Sequence, residues 1–162
     1  MERDTKPADS DLWCQVDDGQ DLPKIDEYAV IVEAPPVAVW QALVAFFREQ
    51  PAVAGRYARL VGASPSGSSG AFPEAGASVA GFRVAEVRSN ERLVLTGRHR
   101  FSGYSLVLDV EPSDHSTRLR AATYASFPGL LGEVYRSLVI RSGAHRFMVH
   151  RVLRTIDTLA RR

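Results

Sequence analysis

Apolar and polar positions alternate with a period of two through the middle of this chain of 162 residues. Tyr104, Leu106, Leu108 and Val110 point one way while Ser105, Asp109 and Glu111 point the other. Leu119, Ala121, Thr123 and Ala125 likewise oppose Arg118, Arg120 and Tyr124, and Leu93, Leu95, Gly97 and His99 share one face of the run from Arg92. That alternation predicts strands with one buried face. Four strand-like runs are expected, over 79–87, 92–98, 104–111 and 117–126, and a shorter one at 28–33 precedes them. Turns at Ser89-Asn90, Ser102-Gly103 and Pro112 to Asp114 leave room only for hairpins, hence antiparallel pairing. One apolar and one charged face predict a sheet covered on one side only.

Elsewhere the period is helical. Trp40, Leu43, Val44 and Phe47 fall at i, i+3, i+4 and i+7, one face of a helix. Pro35-Pro36 suits its first turn, where a missing N–H costs nothing, and Pro51 ends it. A second short helix is expected between residues 53 and 61. Near the C-terminus, Leu131, Val134, Leu138, Ser142, His145, Val149, Val152, Ile156 and Leu159 recur every three or four positions, predicting an inward stripe. Arg141, Arg146, Arg151 and Arg154 fall on the opposite, solvated side. A helix from Gly132 to Ala160 would be roughly 43 Å long. Ser142 and His145 interrupt the apolar stripe, and Gly143 between them costs about 1 kcal/mol relative to alanine at a place where long helices bend. Two readings follow: a satisfied core histidine in a curved helix, or a polar spot on a cavity wall.

Two stretches lack either period. Residues 1–24 are polar and predict a loose arm ahead of a folded domain over 25–162, with Leu12 and Trp13 able to dock on the body. Residues 62–76 are rich in Gly, Ser and Pro. A segment of that composition is expected to be disordered or to form a lid, with Phe72 as its tip.

Composition narrows the function classes. Hydrophobic content of 45% and charged content of 24% predict a soluble globular domain, and its length allows a sizeable core. A net charge of +1 supplies no global field for nucleic acid. The single cysteine, Cys14, rules out an internal disulfide and points to the cytoplasm. No apolar run is long enough to span a membrane. Gly67-Ser68-Ser69-Gly70 is one residue too short for a nucleophile elbow. His145 and His150 are set about 140° apart around a helix, so they make no metal pair, and no metal or cofactor is expected. Phosphate-loop and dinucleotide motifs are missing. The arginines of the last helix read as solvation, without the aromatic-basic pattern of RNA binding.

The order strand, helix pair, antiparallel meander, long helix, together with Ala34-Pro35-Pro36-Val37-Ala38-Val39-Trp40, resembles the Bet v1/START-like superfamily, the SRPBCC or polyketide cyclase/lipid-transport group. There an Ala-Pro-x-x-x-Val-Trp segment ends the first strand and begins the first helix. The stretch from Thr123 to Tyr135, Thr-Tyr-Ala-Ser-Phe-Pro-Gly-Leu-Leu-Gly-Glu-Val-Tyr, with His145 downstream, is similar to a bacterial branch of that group. The resemblance covers the chain from about Tyr28 onward. It implies an α+β helix-grip fold: a curved antiparallel sheet wrapped around a long C-terminal helix, with two short helices after the first strand and an apolar cavity between. The motif is structural, so no catalytic residue carries over with it.

By alternation and helical phase, His99, Tyr104, Thr123, Ser142 and His145 are expected to face one interior, with Tyr135 near its mouth. A few polar groups converging in an apolar pocket are what small-molecule sites look like. The first expectation is therefore a binding protein for a small hydrophobic ligand, such as a lipid, polyketide or aromatic metabolite. A cofactor-independent cyclase or dehydratase using a cavity histidine as proton shuttle is the alternative, and a partner-binding module a third. A homodimer is compatible with all three.

Overall fold

The computed structural model describes residues 22–49, 56, 58–60 and 62–162. The first 21 residues of the expected arm, including Leu12 and Trp13, lie outside them. Strand β1 (Lys24–Val32) leads through Ala34 into helix α1 (Pro36–Arg48). Residues 56 and 58–60 are helical. A meander follows: β2 (Ser78–Val79), β3 (Phe82–Arg88), β4 (Arg92–His99), β5 (Ser102–Ser113) and β6 (Ser116–Ser126). The chain ends in α2 (Gly129–Arg136), a π-helical turn over Ser137–Arg141, and α3 (Ala144–Ala160).

All strands belong to one sheet in the order β1-β6-β5-β4-β3-β2, and every pair is antiparallel. The strand expected over 79–87 is split by a turn at residues 80–81, and the β3–β4 turn places Asn90 at φ 64°, which asparagine tolerates.

The inner face of the sheet forms rows. Leu93, Leu108, Ala121 and Tyr28 line up in one, and Leu95, Leu106, Thr123 and Asp26 in the next. Over the first of these and the rows beyond it lie α1 and the C-terminal half of α3. Val39, Leu43 and Phe47 of α1 join Leu153 and Ile156 of α3 in one core with Leu108, Val110 and Leu119. Thr117 ties the β1–α1 link to that core, donating its buried hydroxyl to the carbonyl of Ala34 at 2.7 Å.

The outer face is less bare than a one-sided sheet predicts. Val94, Val107 and Ala122 form a small buried cluster there, and Ser105 is buried as well. Asp109 is buried too, held by Arg120 at 2.5 Å and Arg92 at 3.4 Å. Arg120 also reaches Glu27 and Glu111.

Two expectations need correction. The C-terminal helix is not one rod on one phase. Gly143 adopts a left-handed φ of 79° at the N-terminus of α3, so the pitch restarts there, and the π turn before it shifts the phase further. As a result Leu131, Val134 and Leu138 are exposed rather than inward, while Val149, Leu153 and Ile156 supply the buried stripe. Residues 62–76 are not a free lid. Ser64 and Ser69 form β-bridges with Arg98 and Ser78. Phe72 is 7% exposed, against Phe47, and its carbonyl accepts a hydrogen bond from Arg48.

Candidate functional site

The core fills one end of the inner face. At the other end, where β4 turns into β5 and β6 leads to α2, the sequence-predicted residues fall into two groups.

The first group is aromatic. His99, at the end of β4, lies 4.8 Å from Tyr135 of α2 and 5.5 Å from Tyr104 of β5, between ring centroids. Phe101 stacks on Tyr135 at 5.4 Å, and Phe82 meets Tyr104 edge-on at 5.4 Å. Such offset and edge-on pairs are the favoured arrangements of aromatic quadrupoles. Tyr104 is placed by a missing side chain. It pairs across the sheet with Gly97, and a Cβ on Gly97 would stand 2.7–2.8 Å from the tyrosine ring. The ring therefore lies over bare backbone and donates its hydroxyl to the Gly81 carbonyl at 2.6 Å. His99 is oriented by its neighbour, since Nδ1 accepts the backbone N–H of Phe101 at 3.1 Å. The neutral ring then carries its proton on Nε2. Burial pushes the His99 pKa below its ordinary value, which favours that neutral form.

The second group is polar and sits towards the β1 edge. His145, in the first turn of α3, brings Nε2 to 3.2 Å from Oγ1 of Thr123 and 3.4 Å from Oδ2 of Asp26. Asp26 and Thr123 are register partners on the inner face. The other carboxylate oxygen of Asp26 is buried and has no hydrogen-bond partner among the described residues. The His145 and Asp26 side chains are 22% and 17% exposed while Thr123 is buried, so the trio lies at a rim of the inner face. His150, one turn further along α3, packs on Tyr28 at 4.6 Å.

Of the six residues expected at the site, His99, Tyr104 and Tyr135 come together, as do Thr123 and His145. Ser142 does not join either group. It is exposed and, among the described residues, makes only local bonds, to the Val139 carbonyl and from the Ala144 N–H. Once Gly143 resets the helical phase, a residue on its N-terminal side no longer shares a face with His145. Asp26 was missed because the first strand was expected to begin at Tyr28. Two-residue spacing back from Val30 and Tyr28 puts Asp26 on the same face, and an acid there was the available signal.

Two hollows among the described residues are surface depressions. One, of about 340 Å³, lies beside α1 and is lined by Trp40, Val44, Arg48 and Pro73. The other, of about 230 Å³, is lined by Gly62, Arg98, His99 and Arg100. Neither separates the sheet from α3. No group of histidine, cysteine and acidic side chains fit for a metal ion occurs among the described residues.

Compared by sequence, the chain matches no family model and no curated protein. Compared by structure, it is similar to a protein of Rhizobium leguminosarum, with a TM-score of 0.51 and 12% identity over 84% of this chain and 95% of that one. It is also similar to Ara h 8.0201, with a TM-score of 0.50 and 11% identity over 83% and 95% of the two chains. The fold is Bet v1-like. A Thermobifida fusca protein shares it at a TM-score of 0.50 and 21% identity, over 82% and 93%. The six-stranded antiparallel sheet, the short helices after β1 and the long C-terminal helical segment make this Bet v1-like chain a helix-grip α+β protein. Identities this low carry the fold and leave the site to be argued from its own residues.

Proposed function

We propose that the protein binds an apolar or amphipathic small molecule at the open end of its inner face. The observation that carries this reading is the Asp26–Thr123–His145 trio: partly exposed polar groups with a buried, unpartnered carboxylate oxygen, at the end of a row otherwise made of Val84, Leu95 and Leu106. The trio would take the polar end of the ligand. The rings of His99, Tyr104 and Tyr135 would hold its apolar body, at little conformational cost because packing already fixes them. Ser142 has no part in this. Native mass spectrometry of protein purified from its own host should reveal a co-purifying species. Fatty acids and planar aromatic compounds are the titration probes. His145→Leu and Asp26→Leu should weaken binding about tenfold or more, as expected when a buried polar partner is lost. Wild-type binding that neither substitution alters would refute the assignment.

One observation favours a cofactor-free enzyme of the cyclase or dehydratase type as a second reading. If Nε2–H of His145 donates to Thr123, with the Asp26 carboxylate 3.4 Å away, Nδ1 is left without a hydrogen bond among the described residues. A carboxylate-oriented imidazole with one free nitrogen is the arrangement of a general base. Turnover of a poly-β-ketone thioester, lost in His145→Gln while ligand binding persists, would support this reading. Binding without turnover leaves the carrier.

A further inference from the structure

The residues that left the inward stripe form a surface of their own. Leu130, Leu131 and Val134 of α2 and Leu138 of the π turn are 88%, 69%, 58% and 67% exposed. Over 130–138 an α-helical pitch sets these four within about 100° of one another, so they make one apolar stripe. Phe147 and Met148, early in α3, are also exposed. Large apolar side chains exposed together along one stripe mark an interaction site.

Charge identifies the partner. From Gly129 to the end the chain carries seven arginines against Glu133 and Asp157, although the whole chain is only +1. Arg141, Arg146, Arg151 and Arg154 are exposed and form no ion pair among the described residues. Exposed leucines and a phenylalanine flanked by unpaired arginines are the composition of an interfacial amphipathic segment.

We propose that residues 129–148 dock this protein on an anionic lipid surface, with the leucine stripe and Phe147 entering the headgroup boundary and Arg141 and Arg146 meeting lipid phosphates. A second copy is a poorer occupant, because pairing this face with itself would set arginine against arginine with only Glu133 to offset it. Nucleic acid would leave the leucines in water. The contact is peripheral: no helix among the described residues is long and apolar enough to cross a membrane. It stands on different residues from the ligand site and holds or fails independently of it.

Cosedimentation of the full chain with vesicles decides the matter. The expected result is binding to phosphatidylcholine vesicles containing phosphatidylglycerol and weak binding to phosphatidylcholine alone. Each arginine near such a surface is worth about fivefold in affinity. Arg141→Gln with Arg146→Gln should therefore cost roughly twenty-five-fold, and salt should weaken binding as the Debye length shrinks. Leu131→Glu with Leu138→Glu should abolish it. All four side chains are exposed, and circular dichroism would confirm that the variants fold. Three results would overturn the proposal. One is no binding to anionic vesicles at low salt. Another is a dimer in sedimentation velocity that Leu131→Glu dissociates. The third is tight, salt-sensitive binding to duplex DNA that the leucine substitutions leave intact.

Discussion

Replacing Gly97 by alanine tests how the aromatic end of the inner face is built. In an ordinary strand this change stabilises by about 0.5–1 kcal/mol, because alanine loses less backbone freedom on folding. Here the new methyl carbon would stand 2.2 Å from the Gly81 carbonyl oxygen and 2.7 Å from Cε2 of Tyr104. The first contact is with backbone and cannot be relieved by a rotamer change. Overpacking of this kind costs about 1–3 kcal/mol. Displacing Gly81 also breaks the Tyr104 hydroxyl bond, worth about 1 kcal/mol. The net expectation is a loss of about 1–3.5 kcal/mol, or a melting temperature lowered by roughly 2–14 °C for a chain of this length. Urea denaturation gives the free energy. Tyr104→Phe removes the hydroxyl alone and should cost about 1 kcal/mol. In that background Gly97→Ala should cost less than it does by itself, since the two changes share the lost bond. A Gly97→Ala protein within about 0.5 kcal/mol of the wild type, the range of an ordinary surface change, would refute the account of how Tyr104 is placed.

Leu153→Ala, fully buried between α1 and the sheet, should lose about 2–5 kcal/mol by chemical denaturation. Thr117→Val leaves the Ala34 carbonyl without its donor and should cost about 1–3 kcal/mol, seen as a lower urea midpoint with an unchanged slope. His99 gives a pH dependence. Burial sets its folded pKa below the unfolded value, so below about pH 6.5 the unfolded chain binds more protons and stability falls as pH drops. His99→Asn, which keeps an acceptor for the Phe101 N–H but cannot titrate, should flatten the melting-temperature profile between pH 7 and 5.

The sheet was legible because strand periodicity is local. Tyr104, Leu106, Leu108 and Val110 face inward as their alternation predicts, and the Ala-Pro-Pro-to-Trp40 segment begins α1 where proline suits a first turn. What escaped notice depends on events between residues. The inward stripe assumed one helical phase from Leu131 to Leu159, and the left-handed turn at Gly143 divides it. Asp109 reads as a solvated position, yet two arginines from neighbouring strands bury it. The loop of 62–76 has the composition of a disordered segment, but its backbone finds partners in Arg98, Ser78 and Val84. Of the candidate site, the aromatic members and His145 could be picked from phase alone. Asp26 was passed over because the first strand was expected to begin at Tyr28, although Pro23 directly precedes β1 and two-residue spacing sets Asp26 on its inner face.

The glycine joint before α3 separates two design problems that a continuous rod would have fused. Val149, Leu153 and Ile156 keep their places through contacts that begin after the joint. Residues added to or removed from the stretch between Pro128 and Ser142 would therefore not rotate them out of register. Changes there would be felt at Tyr135, which packs on His99 and Phe101, and at the exposed leucines, while the core beneath α3 keeps its shape.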